Sequence, residues 1–227
     1  MDIKSFLLER GACQVGFSYQ KQTPFDGLFY AVSIVVKLSD AVVDQICHEP
    51  TQTYFHHYRT VNAFLDHLML ELTINLEKEG YLAAAVPASQ STGDIKRKYF
   101  GIFPHKTAAV AAGLGSIGKN ALFLSEKFGP RVRLGTVFTN MALPVYEGPA
   151  KTVCTGCGAC VAACPSGALT GKMWEEGSAR EDFFSPETCS QHMKKAYQHI
   201  GRGAVCGICM RVCPVGQNRL KPGFNLV

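Results

Sequence analysis

Ten cysteines are present in this chain of 227 residues, and eight of them fall within one stretch of the C-terminal half. The first run reads C-x2-C-x2-C-x3-C-P, with Cys164 as its last cysteine. The second run reads C-x2-C-x3-C-P, from Cys206 to Cys213, and Cys189 lies between the runs. Cysteines at every third residue of a loop direct several thiols toward one place, so this pattern constrains the fold more than any other feature.

The spacing is typical of proteins that bind two 4Fe-4S clusters, in which the last cysteine of each run ligates the other cluster. With Cys189 in place of the leading cysteine that the second run lacks, the cysteines divide into two sets of four. The predicted first set is Cys154, Cys157, Cys160 and Cys213, and the predicted second set is Cys164, Cys189, Cys206 and Cys209.

Zinc and disulfides are the alternative uses of these cysteines. Four thiolates also bind zinc tetrahedrally, although a third cysteine at the same step and the C-P pair are rarely needed for it. Disulfides suit small secreted scaffolds, but residues 1–11 lack the apolar stretch and cleavage site of a signal peptide. Cys13 and Cys47 lie outside the runs, and the apolar helical pattern around Cys47 predicts a core position.

Charge and hydropathy restrict the partners and the location. After residue 150 the chain has nine Lys and Arg but five Asp and Glu. This excess fits an acidic electron-donor protein, such as ferredoxin or flavodoxin, or a phosphate-bearing ligand, and it equally fits a balance of the thiolate charges. No apolar run approaches the roughly 20 residues of a membrane-spanning helix. We therefore predict a protein without a membrane partner that is located in the cytoplasm, where thiols stay reduced.

Hydrophobic periodicity predicts a mixed chain of helices and strands. The predicted helices are 2–10, 39–50, 51–80, 105–112 and 117–125, and the predicted strands are 29–36, 81–87 and 131–139. A linker with two prolines and a glycine follows at 142–152. We therefore predict an α/β cofactor or substrate domain at 1–148 and a double-cluster domain at 149–227.

Gly113, Gly115 and Gly118 form a G-x-G-x-x-G motif that resembles a dinucleotide-binding fingerprint. That fingerprint needs a strand before the first glycine and an acidic residue about 20 positions later. Residues 108–112 are alanine-rich and favour a helix, and no acid follows at that distance. Two roles remain open: close approach of a large flat cofactor to the backbone, with Lys119 beside it, and tight packing of secondary structure.

Three further segments, read with the cysteine runs, carry a resemblance to a known family. They are the segment from His105 to Asn120, which includes AGLGSIGKN, the pair Phe128-Gly129, and RLGTVFT from Arg133. Together they resemble the epoxyqueuosine reductase family, whose relatives include the reductive dehalogenases.

The resemblance implies the fold class: α+β, with a nitroreductase-like or cobalamin-reductase-like domain followed by a bacterial two-cluster ferredoxin-like domain. It implies that two 4Fe-4S clusters pass electrons to cobalamin or to a small-molecule substrate in the first domain. The cofactor-binding residues that it implies are Gly113, Gly115, Ser116, Gly118, Lys119 and Asn120. The alternative is an electron-transfer or corrinoid-handling protein that has no substrate of its own.

This sequence departs from the family pattern at three places. Ser116 replaces a tryptophan of the family, no Asp or Glu lies between Ile95 and Ser125, and the chain ends at Val227 without a helical-repeat tail. The missing acid leaves Tyr99 and His105 as candidate proton donors. From the missing acid and tail, we do not expect transfer RNA to be the substrate.

Overall fold

The computed structural model describes residues 1–90, 92–93, 98–201 and 205–217 and shows an α+β chain. The helices are α1 (Ile3–Glu9), α2 (Asp40–Val43), α3 (Gln52–Lys78), α4 (His105–Ala111), α5 (Ala159–Ala162), α6 (Arg180–Phe183), α7 (Pro186–Ala196) and α8 (Ile208–Arg211). The strands are β1 (Gln14–Tyr19), β2 (Tyr30–Lys37), β3 (Ala83–Val86), β4 (Gly115–Ile117), β5 (Phe123–Ser125) and β6 (Val132–Thr139).

Four strands form an antiparallel sheet in the order β1-β2-β6-β3. The central strand β2 is almost wholly apolar because both of its faces are covered. Alternate residues point to opposite faces: Val32 and Ile34 join the core under α1 and α3, whereas Ala31 and Val35 pack beside α4. The sheet therefore lies between two layers of helix.

The long helix α3 links the sheet to the cysteine runs. The hydroxyl of Thr51 caps it by accepting a hydrogen bond from the Tyr54 N–H at 3.1 Å. Its buried apolar residues, among them Leu65 and Leu72, pack on the sheet. The first turns of α3 contact the second cysteine run, where the Tyr54 hydroxyl lies 3.9 Å from Sδ of Met210 in α8. One helix thus positions both the sheet and the second cysteine run.

The predicted helix at 117–125 is wrong, because these residues form the β4–β5 hairpin. The turn is closed by the Gly118 N–H, which donates to the Leu122 carbonyl at 3.0 Å. Asn120 Oδ1 accepts from the Leu122 N–H at 3.1 Å, and Ala121 adopts a left-handed φ of 57°. These local polar contacts override the helical pattern of the apolar residues. Strand β1 was not predicted, and Cys47 is exposed rather than buried.

Apolar packing crosses the predicted domain boundary at residue 148. Val205 and Ile208 belong to the same core as Phe55, while Ile117 and Ala121 pack with Cys160. The two-domain division stays a prediction, and residues 202–204 and 218–227 of its second part lie outside the described residues. The packing joins the described parts of both segments into a continuous interior.

Two glycines mark a close backbone contact between these segments. A Cβ atom added to Gly216 would lie 2.1 Å from the Phe128 carbonyl carbon and 2.2 Å from the Gly129 nitrogen. A Cβ atom added to Gly129 would lie 1.9 Å from the Val215 carbonyl oxygen. Both glycines have positive φ values, 71° and 53°. The chain beyond the second cysteine run therefore packs directly, backbone on backbone, against the turn before β6.

Within the described ranges, no helix has both the length and the apolar character needed to cross a bilayer.

Candidate electron-transfer site

The first cysteine set converges at the N-terminal end of α5. Gly158 caps this helix with a φ of 79°, so the chain reverses between neighbouring cysteines. One small cavity of about 10 Å³ is lined by the four predicted thiols together with Lys119 and Asn120. Burial first, and then the thiols of Cys154 and Cys157, raise the pKa of Cys160. The structure therefore brings together the four cysteines predicted as the first set.

The second set surrounds a larger cavity of about 260 Å³, which is lined by Cys164, Cys189, Cys206 and Cys209. Cys189 reaches it from α7, and Cys209 from α8. Burial first, and then the thiols of Cys206 and Cys164, raise the pKa of Cys189 to about 11. These are the four cysteines of the predicted second set, in which the last cysteine of the first run joins cysteines of the second run. Cys189 lines this cavity in place of the leading cysteine that the second run lacks. Ligation by these particular residues stays a prediction.

The donor groups fit two 4Fe-4S clusters. Burial raises the pKa of Cys164, but the Ser166 hydroxyl, 3.4 Å from its Sγ, and then the backbone N–H groups of Ser166, Ala168 and Leu169 lower it more, so the pKa lies below its usual value. Such N–H groups also adjust cluster potentials. Within the described ranges, no group of three or more His, Cys, Asp or Glu side chains is arranged to hold a single metal ion. Each thiolate of a four-iron cluster binds a different iron atom, so a cluster does not need that arrangement.

A third cavity of about 350 Å³ lies beside the second cysteine set. It shares four lining residues with the cavity of that set, namely Lys106, Leu122, Arg133 and Met210. Asn120 in turn lines the cavities of both cysteine sets. The described residues thus give a spatial order: first set, second set, then the third cavity, which we call the reaction cavity.

The glycine segment lies under the cysteine loops rather than in the reaction cavity. Ser116 Oγ accepts a hydrogen bond from the Val153 N–H at 3.0 Å, and Lys119 Nζ donates to the Gly156 carbonyl at 3.2 Å. A Cβ atom at Gly115 would lie 2.0 Å from the Leu124 carbonyl oxygen, so that glycine permits the hairpin. A cofactor-binding role for Gly113, Gly115, Ser116, Gly118, Lys119 and Asn120 stays a prediction.

His105 lines the reaction cavity, but both of its ring nitrogens already have partners. Nε2 lies 3.0 Å from the Pro87 carbonyl, and Nδ1 lies 2.9 Å from the Thr136 hydroxyl. A carbonyl only accepts, so Nε2 carries the proton and Nδ1 accepts from Thr136. Loss of solvation lowers the pKa of His105 to about 4. The ring is therefore neutral near pH 7 and holds β6 to the end of β3.

Tyr99 lies on the loop that forms one wall of the reaction cavity, but its own side chain does not line that cavity. The loop contributes Gly101 and Phe103 to the wall, while the Tyr99 side chain is 37% exposed. Tyr99 has a left-handed φ of 63°, and its carbonyl accepts from Arg180 Nη1 at 2.9 Å. Arg180 also lies 3.9 Å over the Phe100 ring. Proton donation by Tyr99 or His105 stays a prediction.

Sequence reasoning missed Gln90, Lys106 and Arg133, three of the polar residues that the structure adds to the reaction cavity. Lys106 follows His105 on α4, Arg133 lies on β6, and Gln90 follows β3. Their only signal in the sequence is a charge or an amide beside an apolar element. Convergence from three separate elements becomes visible only in the folded chain.

Comparison with known proteins supports the iron–sulfur interpretation. Residues 153–216 match the family model of a 4Fe-4S double cluster binding domain. The chain is 44% identical over 129 residues to an epoxyqueuosine reductase of Pseudomonas aeruginosa, a match covering 53% of this chain and 36% of the relative. The matched segments span less than half the length of each curated relative.

The fold is similar to two solved structures. One is a reductive dehalogenase whose structure suggests a mechanism for B12-dependent dehalogenation, with a TM-score of 0.71, 18% identity and coverage of 96% of this chain and 32% of that chain. The other is an epoxyqueuosine reductase solved with a modified stem loop of tRNA-Tyr, with a TM-score of 0.58, 16% identity and coverage of 96% and 65%. The prediction against transfer RNA gains no support from this neighbour.

The chain is thus similar to epoxyqueuosine reductases and reductive dehalogenases and is an iron–sulfur redox protein with a double 4Fe-4S cluster domain.

Proposed function

We propose that this chain is an iron–sulfur reductase that delivers electrons to a small molecule in the reaction cavity. The observation that carries the proposal is the wall that this cavity shares with the cavity of the second cysteine set. An acceptor in the reaction cavity would lie next to that set, since Lys106, Leu122, Arg133 and Met210 line both cavities. The first set has no lining residue in common with the reaction cavity.

Electrons enter at the first set in this proposal. Within the described sets, Cys157 is the only exposed cysteine: the four cysteines of the second set are half-buried, and Cys160 and Cys213 of the first set are buried. The exposed edge suits brief contact with a donor protein such as ferredoxin or flavodoxin, and Lys119 beside Cys157 suits an acidic one. We propose the cytoplasm as the location, because reducing compartments keep free thiols reduced.

Cobalamin is proposed as a further cofactor on the strength of the resemblance. When bound, it supplies a cobalt ion that accepts electrons from the clusters. The reaction cavity, at about 350 Å³, has the size that holds a drug-like ligand, roughly 300–1,000 Å³, and a corrinoid is larger. Binding of the whole corrinoid therefore requires space outside the cavity as the structure has it. The reaction steps proposed for this chain rest on its own residues and clusters.

The test is an anaerobic reduction of the cluster-loaded chain, followed by optical and electron paramagnetic resonance spectra. Reduced protein is then mixed separately with hydroxocobalamin, with small aromatic halides and with a transfer-RNA stem loop that carries epoxyqueuosine. Reoxidation of the clusters with stoichiometric product from a small molecule is the expected result. Clusters that reduce fully but pass electrons to none of these acceptors would leave an electron-transfer protein. If only the stem loop gives a product, transfer RNA rather than a small molecule is the substrate.

A further inference from the structure

Lys106 and Arg133 present unused hydrogen-bond donors to the reaction cavity. Lys106 Nζ donates to the Ala121 carbonyl at 2.6 Å, which occupies one of its three N–H groups. Arg133 Nε donates to Asn62 Oδ1 at 2.7 Å, and Nη2 donates to the Ala88 carbonyl at 3.2 Å. Within the described part of the chain, Nη1 of Arg133 has no hydrogen-bond partner. Both cations therefore have donors to offer a ligand.

Gln90 supplies a third donor, independent of charge. Its Oε1 accepts a hydrogen bond from the Ile102 N–H at 2.7 Å, which fixes the orientation of the amide. Its Nε2 is buried, and among the described residues it has no acceptor. A buried donor without a partner is unfavourable, so a native structure that keeps one calls for an explanation. An acceptor carried by a ligand explains this one.

The cavity walls hold no protein carboxylate for these donors. Among the described residues that line the reaction cavity and the cavity of the second set, none is Asp or Glu. No described ion pair involves either Lys106 or Arg133. Loss of solvation, and then the charge of Arg180, lower the pKa of Lys106 to about 8, as expected for a lysine without a counter-ion.

A loaded second cluster also carries negative charge and attracts both cations. It does not account for Gln90, because this residue lines the reaction cavity and not the cavity of the second set. The reaction cavity itself has no cysteine among its lining residues. The rest of its wall is mainly apolar and includes Phe103, Phe123 and Leu134. The cavity thus combines three side chains that carry hydrogen-bond donors with a mainly apolar wall.

We propose that the reaction cavity binds a small organic acid, with its carboxylate on Gln90, Lys106 and Arg133 and its apolar body against Phe103 and Phe123. This inference names the substrate class of the proposed reductase and rests on that function. A carboxylate is the simplest oxyanion that an organic molecule carries, and it accepts hydrogen bonds from both cationic and neutral donors. Phosphate shares that chemistry, so it serves as a second probe of the same donors.

Calorimetric titration of the cluster-loaded chain with benzoate, benzamide and inorganic phosphate tests the proposal. Benzoate and benzamide have nearly the same shape, but only benzoate is an anion. Benzoate is expected to bind about tenfold or more tightly than benzamide, because hydrogen bonds to a charged group are stronger. Phosphate is expected to compete with benzoate. Equal affinity for benzoate and benzamide, or binding of phosphate alone, would overturn the proposal.

Two variants and a control place the anion at these residues. Lys106→Met and Gln90→Leu keep the approximate size of each side chain and remove its donors. Lys106→Met, which also removes a charge, is expected to reduce the preference for benzoate, and Gln90→Leu is expected to weaken benzoate binding. The control is Lys172→Met, at an exposed lysine outside both cavities, which is expected to leave the preference unchanged. Iron content, measured in parallel, shows that each variant is folded and loaded. An undiminished benzoate preference in Lys106→Met sinks the assignment.

Binding and electron transfer fail separately in these experiments. Benzoate binding to a chain whose clusters pass electrons to no acceptor contradicts the reductase and leaves the anion site standing. Transfer to a small molecule without any preference for anions contradicts only the anion site.

Discussion

Replacing Cys189 by alanine is expected to remove about half of the iron from the reconstituted protein. Cys189 lies on α7, outside both cysteine runs, yet it lines the same cavity as Cys164, Cys206 and Cys209. Without it, three thiols remain in the second set, and the first set keeps all four. Iron and sulfide analysis per chain, with spin quantitation of the reduced protein, measures the loss.

The matched control is Cys47→Ala, at an exposed cysteine that lines neither cluster cavity. It is expected to retain all of the iron. Full iron in the Cys189 variant would contradict the division into two sets of four, since another group would then complete the second site. Loss of all the iron would contradict the independence of the two sites. If the proposed electron route holds, the first cluster of the half-loaded protein is expected to accept electrons but not to pass them to the reaction cavity.

Gly216→Ala is expected to destabilise the packing of the segment that carries the cysteine runs, residues 153–216, against the rest of the chain. A Cβ atom at Gly216 would lie 2.1 Å from the Phe128 carbonyl carbon, and backbone cannot move aside as the end of a side chain can. The positive φ of 71° adds its own penalty for any residue that has a Cβ atom. We expect a loss of more than about 4 kcal/mol, the range reached by the most disruptive substitutions. Denaturant unfolding and iron content measure it.

The variant Gly167→Ala separates the effect of the steric clash from the effect of the left-handed backbone conformation. Gly167 has a similar φ of 64°, but an added Cβ atom there would meet nothing within 4 Å. Its substitution is expected to cost about 1–2 kcal/mol, the price of a left-handed residue with a Cβ atom. Equal losses in the two variants would show that the contact between Gly129 and Gly216 contributes nothing to docking.

The cysteine sets could be predicted from sequence because ligand spacing along a loop is a local property, and the crossing of the runs follows a general rule. Helix α3 could be predicted because its apolar residues recur over 27 residues. The β4–β5 hairpin could not, because its turn depends on Asn120 and on the left-handed Ala121. The partners of His105, at Pro87 and Thr136, depend on tertiary packing, and so does the meeting of Gln90, Lys106 and Arg133.

The two cysteine sets differ in how far their members are separated along the chain. Three thiols of the first set come from residues 154–160, whereas the second set combines residue 164, residue 189 and residues 206–209. The entropy lost in closing a loop grows with its length, so the trio at residues 154–160 is assembled at little cost and only Cys213 has to come from a distant part of the chain. The second set draws on three separate parts of the chain, so its geometry depends on how the helices that carry Cys189 and Cys209 pack against each other.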